Sequence, residues 1–469
     1  MTNGGITMNA HVNKYIDDNV AKMTASLSKI IAVPSVRSEG SPEYPYGKDC
    51  ADALNTMLGM AEEMGFICTN HGNRVGTIDF YPDMTPYLGI LCHLDVVPAG
   101  DGWKNPPFTL CMSNGKLFGR GTTDDKGPAV CVLYAMKAIK ECGIALSKNV
   151  RFIVGTDEEC GSSDLEWYKK DNKLPPYVFT PDASYPVINI EKGMIRGTLT
   201  GECSVGGGKT VISAKGGVVG NAVPASASAR VRGFSADEIE AAVKKTPIPE
   251  MFSYETISGE TTVTVTGKSA HASTPAGGIN AVTALCTLLG SLETDDGTGK
   301  LFAALATLFP FGDTTGKALK IECSDEKSGA LTEVLSVFEF SDNRVKAHFD
   351  MRLPTCTSYE KIRTKLTKAF DAKGFEISEF SGVAPHEVDG ESEFVKTLLS
   401  VYESSTGSRG RCVSIGGGTY VHNIEGGVAF GAEFSGEDCR VHSANEFMPL
   451  ERFKQNAKIF AEAIIKLCE

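Results

Sequence analysis

Residues 87–128 read YLGILCHLDVVPAGDGWKNPPFTLCMSNGKLFGRGTTDDKGP, and this stretch decides how the rest of the chain is understood. Its apolar run, Leu88-Gly89-Ile90-Leu91-Cys92, has the length of a strand buried on both faces. The run stops at His93-Leu94-Asp95. Strand side chains alternate with a period of two, so His93 and Asp95 share a face. In an open α/β sheet, ligands gather beyond the carboxyl ends of the strands, where these two residues would lie. Further on, Gly119-Arg120-Gly121-Thr122-Thr123-Asp124-Asp125-Lys126-Gly127 carries adjacent carboxylates through a glycine-rich turn into a helical pattern. A carboxylate buried beside a strand-end His is costly unless a cation neutralises it, and a divalent metal would do so.

Working outward, helical spacing is visible at 12–32, ending before Pro34, and at 48–64, stopped by Gly65. It recurs at 127–142, where Val130, Leu133, Tyr134, Met136 and Ile139 form the expected buried set. Strands are expected at 76–81 and 150–156, the latter running into Asp157-Glu158-Glu159, and Phe179 leads to Asp182. Strands alternating with helices predict an α/β fold, a mixed sheet flanked by helices. After Ile190 the texture changes to Thr/Val alternation and small residues, as at 226–232 and 261–266, which suits antiparallel strands. Within that segment 225–233, followed by Ser235-Ala236-Asp237-Glu238, echoes 345–354, followed by Thr357-Ser358-Tyr359-Glu360. Each reads as a strand, a turn and a Ser- or Thr-capped helix. The echo suggests a duplicated unit, two ferredoxin-like halves. Helical pattern returns at 391–403, followed by a Gly416-Gly417-Gly418-Thr419-Tyr420 loop, a strand at 428–432, His442 and a long amphipathic C-terminal helix. The expected organisation is a domain built from 1–190 and 388–469, interrupted by an α+β lid at 191–387.

Composition narrows the function classes. A chain of 469 residues is long for one hydrophobic core. Lys+Arg 46 against Asp+Glu 58 gives a net charge of −12, which argues against nucleic acid or an anionic membrane as main partner. The first residues carry no apolar signal region and no run approaches the length of a bilayer span, so a cytoplasmic protein is expected. The 14 cysteines lack C-x-x-C spacing, and several, such as Cys92, Cys131 and Cys286, lie in apolar segments. They read as free thiols, and Cys92 and Cys160 as packing residues beside the candidate site.

Successive apolar segments therefore end on metal-competent groups: His93, Asp124, Glu158-Glu159, Asp182 and, from the far end of the chain, His442. Nitrogen and carboxylate oxygen without thiolate suit a catalytic zinc, or manganese or cobalt, better than a structural zinc. Two His and three carboxylates suffice for two ions if one carboxylate bridges them, and one acid is then spare as a general base. Glu158 and Glu159 could divide these roles. Asp95 could accept the other imidazole N–H of His93 and fix its tautomer. Singly, each feature has a plainer reading: a hydrogen-bonded strand-end His, an Asp helix cap, a solvated acidic loop. Jointly, the plain readings are much weaker.

The segments HLDVVPAGDGW, LFGRGTTDDKGP, GTDEECGSSD, TPDASYP and VHSANE resemble the signatures of the di-metal metallopeptidases that include aminoacylases, carnosinases and carboxypeptidases G. The long insertion and GGGTY loop are most similar to the bacterial V-type (PepV-like) dipeptidases. The resemblance implies that His93 and Asp182 hold one zinc-type ion, Glu159 and His442 a second, and that Asp124 bridges them. It implies Glu158 as general base toward a metal-bound water, Asp95 behind His93, and a cis peptide bond between Asp124 and Asp125. It also implies that His271, in Gly267-Lys268-Ser269-Ala270-His271, stabilises the oxyanion, and that Arg352 binds the substrate's terminal carboxylate. A salt bridge to Asp350 is the plainer reading of Arg352. Asn221 matches a substrate-contacting Asn, and Gly416, Gly417 and Gly418 could offer backbone N–H groups to the same carboxylate or form a plain turn. His11, His71, His348, His386 and His422 read as structural or exposed. The function implied is hydrolysis of dipeptides with a free amino terminus. Its rivals are another amide hydrolase of the group (an aminoacylase, desuccinylase or tripeptide aminopeptidase) and a non-catalytic peptide-binding relative. Short-lid relatives pair their lids between subunits, so a doubled lid would let a monomer suffice where they need a dimer.

Overall fold

The run at 88–92 is the middle of strand Pro86–His93 in the computed structural model of the protein, which describes residues 9–204 and 206–469. Burial on both faces accounts for its composition. Leu88, Ile90 and Cys92 enter a large hydrophobic cluster on one side, and Leu91 enters a second on the other. Strands Asn149–Gly155 and Tyr177–Thr180 flank it in parallel, and Gly427–Ala429 extends the parallel set beyond Tyr177–Thr180. Val75–Asp79 and then Ile67–His71 add antiparallel on one side, and Val187–Glu191 pairs antiparallel with Gly427–Ala429 on the other. The sheet is mixed, as the alternation of elements predicts, with its parallel strands in the centre and their carboxyl ends along one edge.

This sheet belongs to a unit formed by the chain up to Ile190 together with Val388–Val413 and Gly418–Glu469. Helix Lys126–Glu141 differs from expectation. Up to Met136 it is buried all round, and Ala129, Cys131, Val132, Ala135 and Ala138 are buried along with the predicted apolar set. Small side chains let it pack against the sheet and against helices Val20–Ile31 and Leu450–Cys468 at once. The single helix expected at 12–32 is two, Ala10–Asp18 and Val20–Ile31. Asn19 interrupts it by turning its side-chain amide back onto the Tyr15 carbonyl at 2.8 Å. The strand expected at 428–432 is confined to Gly427–Ala429. Among the described residues no helix is long and apolar enough to cross a membrane, and all 14 cysteines are free.

The second unit, Glu191–Glu387 with Ser414–Gly417, is built on one antiparallel sheet. Its strands run Phe252–Ile257, Glu260–Thr266, Ser226–Arg232, Thr210–Gly216, Thr332–Ser341, Arg344–Leu353, Gly193–Glu202 and Glu376–Val383. The last four, with helices Thr298–Leu308 and Tyr359–Asp371, follow a strand-helix-strand-strand-helix-strand order and a 4-1-3-2 spatial arrangement, which is ferredoxin-like. The first four repeat that arrangement if counting starts at Glu260–Thr266. They form a circularly permuted copy inserted after Gly193–Glu202 and joined to the other half by the pairing of Thr210–Gly216 with Thr332–Ser341. Ser226–Arg232 with helix Ala236–Lys244 thus corresponds to Arg344–Leu353 with helix Tyr359–Asp371, the two segments whose sequences echo. Ser235 and Glu238 form a full capping box on the first helix, and Ser358 accepts from Lys361 N–H on the second.

Phe349 lies fully buried in this unit, with ring centroids 5.6 Å from Phe370 and 6.4 Å from Phe309. Truncation to Ala leaves a cavity in a packed aromatic cluster and should cost about 3–5 kcal/mol in denaturant unfolding. A loss below about 1 kcal/mol would show that the cluster does not support the unit.

Candidate active site

The carboxyl edge of the parallel strands collects the metal-competent residues. His93 ends its strand, and Glu158 and Glu159 lie in a 3-10 turn directly after Asn149–Gly155. Asp182 follows Tyr177–Thr180. Asp124 arrives through the glycine-rich turn before helix Lys126–Glu141, and His442 lies in the loop before helix Leu450–Cys468. Asp124 sits between the two histidines, Oδ1 at 2.9 Å from His93 Nε2 and Oδ2 at 2.8 Å from His442 Nε2. His442 Nε2 is also 3.2 Å from Glu159 Oε1, and His93 Nε2 is 3.7 Å from Asp182 Oδ2. Ligand atoms of His93, Asp124 and Glu159 lie within 4.8 Å of one another, as do those of His93, Glu158 and Asp182. Glu158 is thus itself among the metal-competent groups. A cavity of about 210 Å³ is lined by Asp124, Glu158, Glu159, Asp182, His442 and also Glu433.

This arrangement fits a cation. His93 Nδ1 is 3.0 Å from the Asp95 carbonyl oxygen, a contact only a protonated Nδ1 can make. A neutral ring then points its Nε2 lone pair at carboxylate oxygens. Nε2 is buried and, despite its closeness to Asp124, lies too far off line for a hydrogen bond. Acceptors facing acceptors require a proton or a metal ion between them. The proton affinities report the same demand. Burial opposes charge on His93, but Asp124 and Asp182 outweigh it and raise its pKa well above the usual value. Hydrogen bonds to Asp124 and Glu159 push His442 up to about 11. Burial lifts Asp182 to about 6, and burial with the neighbouring Asp182 lifts Glu158 well above the carboxylate range. Asp124 goes the other way: burial opposes its ionisation, but His442 and His93 on its two oxygens hold its pKa below the ordinary value.

The residues around the cluster hold backbone rather than ligand. The Asp95 carboxylate was expected on the His93 imidazole. Its Oδ1 lies 3.6 Å away, and the backbone carbonyl takes that role instead. The carboxylate accepts the N–H groups of Glu158 at 3.1 Å and Glu159 at 3.0 Å, satisfying the open end of the 3-10 turn. The Asp124–Asp125 peptide bond is cis. Neither Asp caps the helix that follows: the N-cap position, Asp125, makes no side-chain cap bond, and its Oδ2 accepts the backbone N–H of His93 at 3.1 Å.

Several supports escaped the sequence reading. Glu446 accepts from the backbone N–H groups of Gly121, Thr123 and Asp124 and from Arg120 Nη1 at 2.7 Å, all of it buried. It therefore shapes the glycine-rich turn, and its signal was its place four residues after His442. Tyr420 of the GGGTY loop donates to Asp164, whose carboxylate accepts the N–H groups of Thr156 and Asp157. Gly155 makes room for this: a Cβ there would lie 1.7 Å from the Tyr420 hydroxyl. Glu433 had no sequence signal at all.

Of the remaining predicted residues, Gly418 belongs to the first unit and lines the cavity above, and Asn221, His271, Arg352, Gly416 and Gly417 belong to the second. Asn221 is joined to the His271 loop through its backbone, its carbonyl accepting from Ala272 N–H at 2.9 Å. His271 Nδ1 accepts from Ser273 N–H at 3.3 Å and lies 2.7 Å from Ser273 Oγ, so the neutral ring carries its proton on Nε2. Burial and then Arg352 lower its pKa. Arg352 is buried and bonded to Asp350 through Nε at 2.6 Å and Nη2 at 3.1 Å, and to the Gly416 carbonyl through Nη1 at 2.8 Å. The Asp350 salt bridge is thus present, and two of the five guanidinium N–H groups are left. Arg196 Nε shares Asp350 at 2.7 Å. The carbonyl of Gly416 is the acceptor here, and a Cβ on this residue would meet Ser273 Cβ at 2.3 Å.

Comparison with known proteins agrees with this picture. Residues 89–466 match the family described as Peptidase family M20/M25/M40. The Beta-Ala-Xaa dipeptidase of Lactobacillus delbrueckii subsp. lactis is 34% identical over 450 residues, covering 94% of this chain and 95% of the relative. Human carnosine dipeptidase 1 superposes with a TM-score of 0.61 at 16% identity over 97% of this chain and 98% of that one. The di-peptidase Dug1p from Saccharomyces cerevisiae gives 0.60 at 17% identity over 97% and 98%, and these two structures share the fold. A match spanning both ends of the interrupted catalytic edge, from strand Pro86–His93 to the last helix, makes the chain a member of peptidase family M20/M25/M40.

Proposed function

We propose that the protein is a dipeptidase that hydrolyses the peptide bond of dipeptides with a free amino terminus at a centre for two divalent ions, zinc or else manganese or cobalt. The observation that carries this is Asp124 placed with one carboxylate oxygen on each of two histidines, one of them fully buried with its other nitrogen already committed. His93 and Asp182 would hold one ion, Glu159 and His442 the other, with Asp124 between. Such ions, when bound, supply Lewis acidity toward a water and toward the scissile carbonyl.

The chain's own groups do the rest. Glu158 is the general base, its burial and its acidic neighbour Asp182 both favouring uptake of a proton. Asp95 fixes the Glu158–Glu159 turn, so the base is presented from a rigid backbone. His271, neutral with its proton on Nε2, donates to the developing oxyanion. The two uncommitted N–H groups of Arg352, with Asn221 and the Gly416–Gly418 loop, receive the terminal carboxylate. The doubled sheet of the inserted unit supports a monomer as the working form, and the unpaired thiols support a cytoplasmic setting.

Glu158→Gln should lower kcat by about 10²–10⁴-fold while retaining its metal content. An active variant, or one that loses its ions, would remove Glu158 from the role of base. His271→Ala should cost about 10²–10³-fold in kcat. Turnover of Xaa-Ala dipeptides, without turnover of tripeptides or N-acyl amino acids, is the pattern expected of the wild type, at a specific activity that does not fall on dilution.

Removing the ions should make stability pH-dependent. Asp182 rises from 3.8 to about 6, Glu433 from 4.5 to about 7 and His442 from 6.5 to about 11. In each interval the folded state holds a proton that the unfolded state has released, so stability falls as pH rises through it. Chelator-treated protein should melt higher at pH 6 than at pH 8, and added zinc should raise Tm most at pH 8. A metal-free Tm that is flat or rising over this range would contradict the assignment.

A further inference from the structure

Glu433 lies in the short strand Ala432–Glu433, which pairs in parallel with Ala183–Ser184, the residues after Asp182. Ala183 N–H donates to the Gly431 carbonyl and Tyr185 N–H to that of Glu433, both at 2.8 Å. The Ala432 carbonyl accepts from Asn456 Nδ2 at 3.0 Å. The backbone is therefore held from both sides, and the side chain faces the cavity that contains the metal-competent cluster. Among the described residues nothing donates a hydrogen bond or an ion pair to its carboxylate. Burial and then Asp124 and Asp182 push its pKa up to about 7.

Charge counting says what is missing. Two divalent ions would bring four positive charges, and Asp124, Glu158, Glu159 and Asp182 of the two metal-competent sets bring four negative ones. Of the other buried acids close by, Glu446 already has Arg120, and Asp95 and Asp125 are taken up by backbone N–H groups. Glu433 is a further carboxylate, outside both sets, on a fixed backbone and without a hydrogen-bond or ion-pair donor among the described residues. It calls for one positive charge from outside.

We propose that Glu433 is the anchor for the free amino group of the substrate, and that it makes the enzyme select unblocked amino termini. The inference rests on the dipeptidase reading above. A carboxylate in a partly desolvated site bonds an ammonium group strongly and has nothing to offer an N-acyl amide oxygen, which is itself an acceptor. Glu433 is thus a specificity-determining residue, distinct from the groups that hold ions or move protons.

The test uses zinc-loaded full-length protein and a non-hydrolysable phosphinic analogue of Ala-Ala, which carries no side-chain cation, with and without an N-acetyl group. By calorimetry the wild type should prefer the free-amine form by about 10- to 100-fold. Glu433→Gln should lose that preference, bind the acetylated form as before and keep its full zinc content by elemental analysis. A variant that keeps the preference overturns the proposal. So does one that loses zinc, since Glu433 would then be a ligand. Wild-type turnover of Ala-Ala is read separately. A wild type that does not hydrolyse it removes the dipeptidase reading and this proposal with it, whereas an active wild type with an unaltered variant preference removes the proposal alone.

Discussion

The lone pair of a buried imidazole facing carboxylate oxygens is the constraint around which the catalytic edge is arranged. His93 is committed on one side to a backbone carbonyl, and its other nitrogen has only acids to face. Without a cation the cluster must take up protons, and the upward displacement of His93, His442, Asp182 and Glu158 expresses that need. Bound cations would meet the same need in place of those protons. The elements that bring them together are then required to be rigid, because like-charged groups left to themselves move apart.

That rigidity comes from buried acids that are not ligands. Asp95, Asp125, Asp164 and Glu446 each accept backbone N–H at the point where a strand or turn delivers a metal-competent residue. A buried carboxylate is costly alone, and the hydrogen bonds it accepts, four each at Asp164 and Glu446 and two at Asp95, offset that cost while fixing the main chain. The Arg120–Glu446 pair adds a fixed charge, and removing one member of such a pair typically costs about 3–5 kcal/mol. Mutations at these positions should therefore be expected to act through geometry rather than through proton transfer.

The inserted unit follows a different logic. Two ferredoxin-like halves, one a circular permutation of the other, share one antiparallel sheet and one hydrophobic cluster. On this unit Ser273 holds the His271 ring, Arg352 is bonded to Asp350 and to the Gly416 carbonyl, and Gly416 packs beside Ser273. Arg352 is less free than its motif suggested, since Asp350 and a carbonyl occupy most of its donors.

The sequence by itself determined the strand identity of 88–92, the α/β alternation, the change of texture at the insertion and the residues carrying metal-competent chemistry. Those are local properties: hydrophobic period, turn composition and the donor atoms of individual side chains are written residue by residue. Tertiary structure alone decided which backbone group fixes the His93 tautomer and what the Asp95 carboxylate holds instead. It also decided how Glu446 shapes a turn some 320 residues earlier in the chain, from Gly121 N–H through Thr123 to Asp124. Helix Lys126–Glu141 showed one apolar face in sequence and is buried on every side up to Met136, because only the fold places a second helix layer over it. Glu433 belongs to the same class. Nothing in its neighbours along the chain marks it, and its meaning comes from the Asp182 strand beside it and from the excess negative charge that only the assembled cavity reveals.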